Sequence, residues 1–195
     1  MAKIGIMNPT YAPITGEPAN AAVVYGPGKT FAHAINAGIS YKRSDTELRG
    51  DNVVIESDNS ITSGEVTMGL DDIQEADQVA LLGVVKTGET GAEEYHDVGA
   101  SAPYVGFGFI TVRQLDSVVS YIGHWFHKVQ FAAQDESTKT KGDTIEWQTD
   151  TIKGKAIGVN VDSSGTPKFR VRKPCATYEA ALTWLKTKAN ISSGT

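Results

Sequence analysis

The chain has 195 residues, enough to bury one substantial core, and its 40% hydrophobic and 21% charged residues fit a folded globular protein rather than a disordered or fibrous one. Its 18 Lys and Arg against 23 Asp and Glu give a net charge of −5, which repels phosphate backbones and argues against a dedicated nucleic-acid binder. The lone cysteine, Cys175, excludes an intramolecular disulfide; MAKIGIMNPTY lacks the apolar core of a signal peptide, and no stretch approaches the roughly 20 apolar residues of a membrane-spanning helix. The expectation is one domain over residues 1–195, made in a reducing cytoplasm and not embedded in a membrane.

In chain order, Lys3 to Met7 reads as a short strand. The Pro/Gly-rich passage through Pro9, Pro13, Gly16 and Pro18 predicts an extended arm within residues 1–30, because proline cannot donate to a ladder. Gly26-Pro27-Gly28-Lys29-Thr30 resembles the end of a phosphate-binding loop, but Val23 stands where its first glycine belongs and no helical pattern follows, so a turn between strands is expected. Phe31 to Tyr41 reads as a strand with Phe31, His33, Ile35 and Ala37 on one face, which makes His33 a core or interface residue. Asp45–Arg49 and Asn52–Glu56 are sheet segments, and Ile61 to Leu70 alternates cleanly through Val66, Met68 and Leu70.

Asp71, with Gln74 three residues on, predicts a capping box and a helix whose Ile73, Ala76 and Ala80 share one face, stopped by a left-handed Gly83. Residues 86–102 are polar and glycine-rich; Glu93, Glu94, His96 and Asp97 lack a fixed ligand geometry, so a solvated loop is expected there instead of a metal site. Pro103 to Arg113 reads as a strand with Val105, Phe107 and Phe109 on one face and Gly106 and Gly108 on the other, marking close approach of another backbone or a sharp twist. Ser117 to Phe131 is the longest strand candidate. It places Tyr121, Trp125, Val129 and Phe131 on one face and Ile122, Phe126 and Gln130 on the other, and sends His124 and His127 to opposite sides, where they cannot chelate one ion.

The polar run 132–143 predicts an extended loop, followed by a half-buried strand with Ile145 and Trp147 on one face and a second with Ile152, Gly154 and Ala156 on one face. Asp162-Ser163-Ser164-Gly165 makes a turn, and Lys168 to Arg172 a short strand. Thr177 caps a helix over residues 177–188 whose Tyr178, Ala181, Leu182 and Leu185 form the apolar stripe, with Lys186 and Lys188 at the negative end of its dipole; Ile191 to Thr195 should fray. This inventory is mainly β with flanking helices, an α+β arrangement. It holds no nucleophile, base and orienter set, no metal cluster and no phosphate cradle, so no enzymatic activity and no cofactor is expected.

Several blocks, in order, carry a resemblance: KIGIMNPTYAPIT, SGEVTMGLDDIQEADQVALLG, APYVGFGF and HWFHKVQFAAQDESTKTKGDTIEWQTDTIKGKAIG. The most specific are Tyr104-Val105-Gly106-Phe107-Gly108, Gly69-Leu70-Asp71-Asp72, and Thr140-Lys141-Gly142-Asp143 with Ile145-Glu146-Trp147-Gln148-Thr149. Over nearly its whole length the chain resembles the major tail protein family of long-tailed phages and prophages of Gram-positive bacteria. The resemblance implies an antiparallel β-sandwich flanked by a helix, whose strands join those of neighbours into six-membered rings with a continuous β-barrel. The rings stack into a virion tail tube that conducts DNA without tight binding. Self-association and contacts with tape measure, tail terminator and distal tail proteins are the implied partnerships, and no catalytic residue is carried over. The resemblance also implies that the 132–143 arm, through Gln134, Asp135, Glu136, Lys139 and Lys141, reaches the next ring, while Phe107, Phe109, Trp125 and Trp147 are expected to pack in the core or an interface. Two alternatives are a tube of a tail-derived bacteriocin or contractile injection machine, and a carbohydrate-binding β-sandwich module with Tyr121 and Trp125 as an aromatic platform.

Overall fold

The structure is a computed structural model and describes residues 2–18, 21–116, 118–132, 149–162 and 164–192. The inter-ring arm residues Gln134, Asp135, Glu136, Lys139 and Lys141, and the strand around Trp147, lie outside the described residues. The strands are β1 (Ala2–Gly16), β2 (Val24–Tyr25), β3 (Lys29–Thr30), β4 (Ala34–Arg43), β5 (Thr46–Gly50), β6 (Val53–Asp58), β7 (Ile61–Leu70), β8 (Val85–Thr87), β9 (Glu94–His96), β10 (Tyr104–Leu115), β11 (Val118–Ala132), β12 (Asp150–Ala156) and β13 (Arg170–Cys175). Two helices, α1 (Glu75–Leu82) and α2 (Tyr178–Lys188), complete a mainly β fold.

One large antiparallel sheet runs in the order β2-β1-β10-β11-β12-β7-β4, with β3 also paired to β1 and β13 to β11. The predicted arm is a correction: the chain stays in β1 to Gly16. Pro9 falls at an irregularity beside Asn8, whose φ is +54°, and its carbonyl accepts from the Phe31 amide. Pro13 pairs with Val105 while its carbonyl accepts from the Gly26 amide. A residue's N and O point to the same side of a strand, so the missing proline donor faces away from β10 and costs that ladder nothing.

β11 carries a second correction. Between the Phe126–Phe107 and Val129–Val105 pairs, two residues of β11, His127 and Lys128, oppose Gly106 of β10, a bulge that reverses the alternation. Val129 and Phe131 therefore join Phe126 on one side, while Trp125 faces the other. The far edge of β11 divides at this bulge. Residues 121–126 pair with β13 and residues 129–132 with β12.

Each face of the β10–β11 pair is covered. On one side Phe107, Phe109, Phe126, Phe131, Met68, Leu70, Ile152 and Leu81 form the larger core. On the other, Trp125, Ile110, Cys175, Ala181 and Leu185 form a smaller core under α2. Gly106 and Gly108 make this second packing possible: a Cβ at Gly106 would sit 2.5 Å from the rings of both Trp125 and Tyr25, and one at Gly108 2.7 Å from Leu185. Thr177 caps α2, its hydroxyl accepting from the Ala180 amide at 3.3 Å. Ile191 packs against this core instead of fraying.

The α1 start is displaced from the capping-box reading. The N-cap is Gln74, with no side-chain cap bond. Asp71 instead accepts from the His33 amide at 2.6 Å and sits 2.7 Å from His33 Nδ1, and Asp150, at the start of β12, accepts from the Ile73 amide at 3.1 Å. The buried face is Asp77 and Leu81, with Ala76 exposed, while Gly83 ends the helix at φ +79° as its position predicts.

Candidate functional site

Three surface features and three buried polar groups stand out from the packed sheet. The first feature is the edge strand β4. It is ten residues long, pairs among the described residues only with β7, and is half-buried at just Ala34, Ile39 and Tyr41. Natural edges are usually shortened, bulged or guarded by lysine or proline, because free N–H and C=O groups template pairing with another chain. Between Ala34 and Tyr41, β4 has neither residue type. His33, expected in the core or an interface, has a side chain that is 90% exposed.

The second feature is the hairpin of β5 and β6. Asp51 and Asn52 at its tip have φ of +51° and +63°, the double positive φ of a two-residue hairpin turn. Leu48, Val53 and Ile55 are 59%, 64% and 67% exposed. A two-stranded hairpin alone is marginally stable in water, so this one presents apolar surface without the packing that normally supports it. The third feature is a groove of about 560 Å³ where β1 and β4 approach each other across the curled sheet. Lys3 and Ile6 line one wall, Ile39 and Tyr41 the other, with His124 and Arg170 between.

His124 stacks on Phe109, with ring centroids 5.0 Å apart, and its Nε2 lies 2.9 Å from Thr111 Oγ1; its Nδ1 has no partner among the described residues. Burial, and then the charges of Arg170, Lys3, Arg172 and Arg113, push its pKa down to about 3. Burial likewise lowers His127 to about 4, helped by Lys188 and Lys168. Both imidazoles are neutral at physiological pH.

The other buried polar group is Asp77, 2% exposed. Lys29 Nζ donates to its two oxygens at 2.8 and 2.9 Å, and the Tyr11 hydroxyl donates at 2.9 Å. Burial, then the Asp77 hydrogen bond, drives the Tyr11 pKa upward. The cluster ties α1 to β1 and β3, and its members lie too far apart in sequence to be read as a set. Asp77→Ala would leave a buried phenol without its acceptor and a cation without its partner. We expect a loss of about 1–3 kcal/mol, read as a lower urea midpoint; an unchanged midpoint would contradict the account.

Phe107, Phe109 and Trp125 are all buried. That removes Trp125 from any carbohydrate platform, and Tyr121 is only half-exposed and packed against Tyr178. Residues 86–102 are not loop throughout: β8 and β9 pair as a short hairpin. No group of three or more His, Cys, Asp or Glu that could hold a metal occurs among the described residues. No helix among them is long and apolar enough to cross a membrane. No family model matches the chain, and no curated protein matches it.

Proposed function

We propose that this chain is a structural subunit, the major tail tube protein of a long-tailed phage or prophage. Copies join edge to edge into rings, and the rings stack into a tube that passes DNA from capsid to host cell. The reading rests on the ordered sequence blocks that resemble that family, and one structural observation carries it: the long β4 edge, free of lysine and proline from Ala34 to Tyr41. A strand of this length left open invites a partner strand, and a second copy of the same chain is always at hand. The exposed hairpin supports self-association in the same way. The net charge of −5 suits a conduit, since an acidic wall lets a polyanion slide.

Lysines placed on the edge test this. At Gly38 an added Cβ meets only Thr67 at 3.9 Å, and Ser40 is exposed, so Gly38→Lys with Ser40→Lys should fold normally. Sedimentation velocity over a concentration series should show large polymers for the natural chain and only small species for the variant, with unchanged circular dichroism. Polymers of equal size from the lysine variant would remove the β4 edge from assembly.

A further inference from the structure

We propose that the groove between β1 and β4 receives the β5–β6 hairpin of a second copy of this chain. The inference rests on the self-assembling reading above and names a contact within it. The two surfaces complement each other in charge and in polarity.

The hairpin, residues 44–60, carries Asp45, Glu47, Asp51, Glu56 and Asp58 against one cation, Arg49, which is already paired with Glu47 at 2.7 Å. Ile55 lies over Gly50, where an added Cβ would be 2.5 Å from Ile55 Cδ1. Gly50 pairs with Val53, and alternation along β5 brings Leu48 to the same side. Leu48, Val53 and Ile55 therefore share one face with Glu56, which the irregularity at Leu48 and Arg49 sets opposite Leu48.

No acidic residue lines the groove. Arg170 lies 5.7 Å from the Tyr41 ring and 5.5 Å from that of Phe126, and among the described residues it and Lys3 have no carboxylate within ion-pair distance. The Nδ1 of His124, 4% exposed, has no partner among the described residues. Ile6, Ile35 and Ile39 supply the apolar surface, over the buried ring of Phe109. A cationic, apolar groove without a counter-ion matches an acidic, apolar hairpin without a core.

The hairpin of the same chain is poorly placed to fill this groove. Only Ser44 and Asp45 separate β5 from β4, and the Ser44 amide donates to the Ser60 carbonyl at 2.7 Å, so the hairpin prolongs the β4–β7 pair instead of folding back across β4. Hairpin and groove are different surfaces, which makes the contact heterologous. Such contacts propagate from copy to copy and either close into a ring or run on as a filament.

Cross-linking between copies tests the contact. In a Cys175→Ser background, one chain carries Val53→Cys in the hairpin and another carries Ile35→Cys, which lines the groove and is 50% exposed. Mild oxidation of the mixture should give a disulfide between unlike chains, and neither chain alone should cross-link. The exposed-residue variant Leu48→Ser with Val53→Ser should keep its circular dichroism yet raise the concentration needed for assembly at least about tenfold. A Val53→Cys homodimer would mean that hairpins pair with each other and would overturn the proposal. Polymers without the mixed disulfide would overturn this contact while leaving the tube reading intact. Neither polymers nor cross-links at any concentration would overturn both.

Discussion

Trp125→Ala is expected to destabilise the fold by about 3–5 kcal/mol, the range for deleting a fully buried large aromatic side chain. Trp125 is 0% exposed and sits between β11 and α2, with Ile110, Cys175, Ala181 and Leu185 around it. Tyr25 meets it edge-on, with centroids 5.3 Å apart and ring planes at 90°. Gly106 and Gly108 leave room for the indole, so its removal opens a void that neighbouring backbone cannot close. The loss should appear as a lower urea midpoint with an unchanged slope, and Trp125→Phe should recover part of it. A change below about 1 kcal/mol would mean that α2 is held to the sheet by other contacts.

Acid should weaken the protein well before its carboxylates titrate. In the fold His124 and His127 take up protons only near pH 3 and pH 4, whereas an unfolded histidine does so near pH 6.5. Between those limits the unfolded chain binds more protons, so stability is fully present above about pH 6.5 and falls as the pH drops. By about pH 5 the loss is on the order of 2 kcal/mol from each histidine. Urea midpoints at about pH 7, 6 and 5 measure it. His124→Gln should flatten part of the slope while an amide can still meet Thr111. Stability unchanged between about pH 7 and 5 would show that these imidazoles are not buried in solution.

The elements legible in the sequence are those whose causes are local. β7 and β12 show their buried faces as simple alternation, Val66-Met68-Leu70 and Ile152-Gly154-Ala156. The Thr177 cap lies three residues from the amide it satisfies, and Gly83 ends α1 through its own φ. What alternation could not show depends on distant partners. The length of β1 follows from where Pro9 and Pro13 fall relative to β10 and the Gly26 amide. The phase of Val129 and Phe131 follows from a bulge set by pairing with β10. Asp77 reads as an exposed acid near a helix start until Lys29, 48 positions earlier, and Tyr11, 66 positions earlier, are folded onto it. The groove is likewise assembled from β1, β4, β11 and β13, and no single stretch announces it. In the β5–β6 hairpin, Asp51-Asn52 between two apolar-charged runs is a local turn signal that marks both its register and its tip.

The most direct test of the tube reading is an electron micrograph of the concentrated full-length protein in negative stain. The account predicts long hollow tubes of uniform width with a regular ring repeat and a stain-filled lumen. Dispersed single subunits or compact closed particles at every concentration would contradict it.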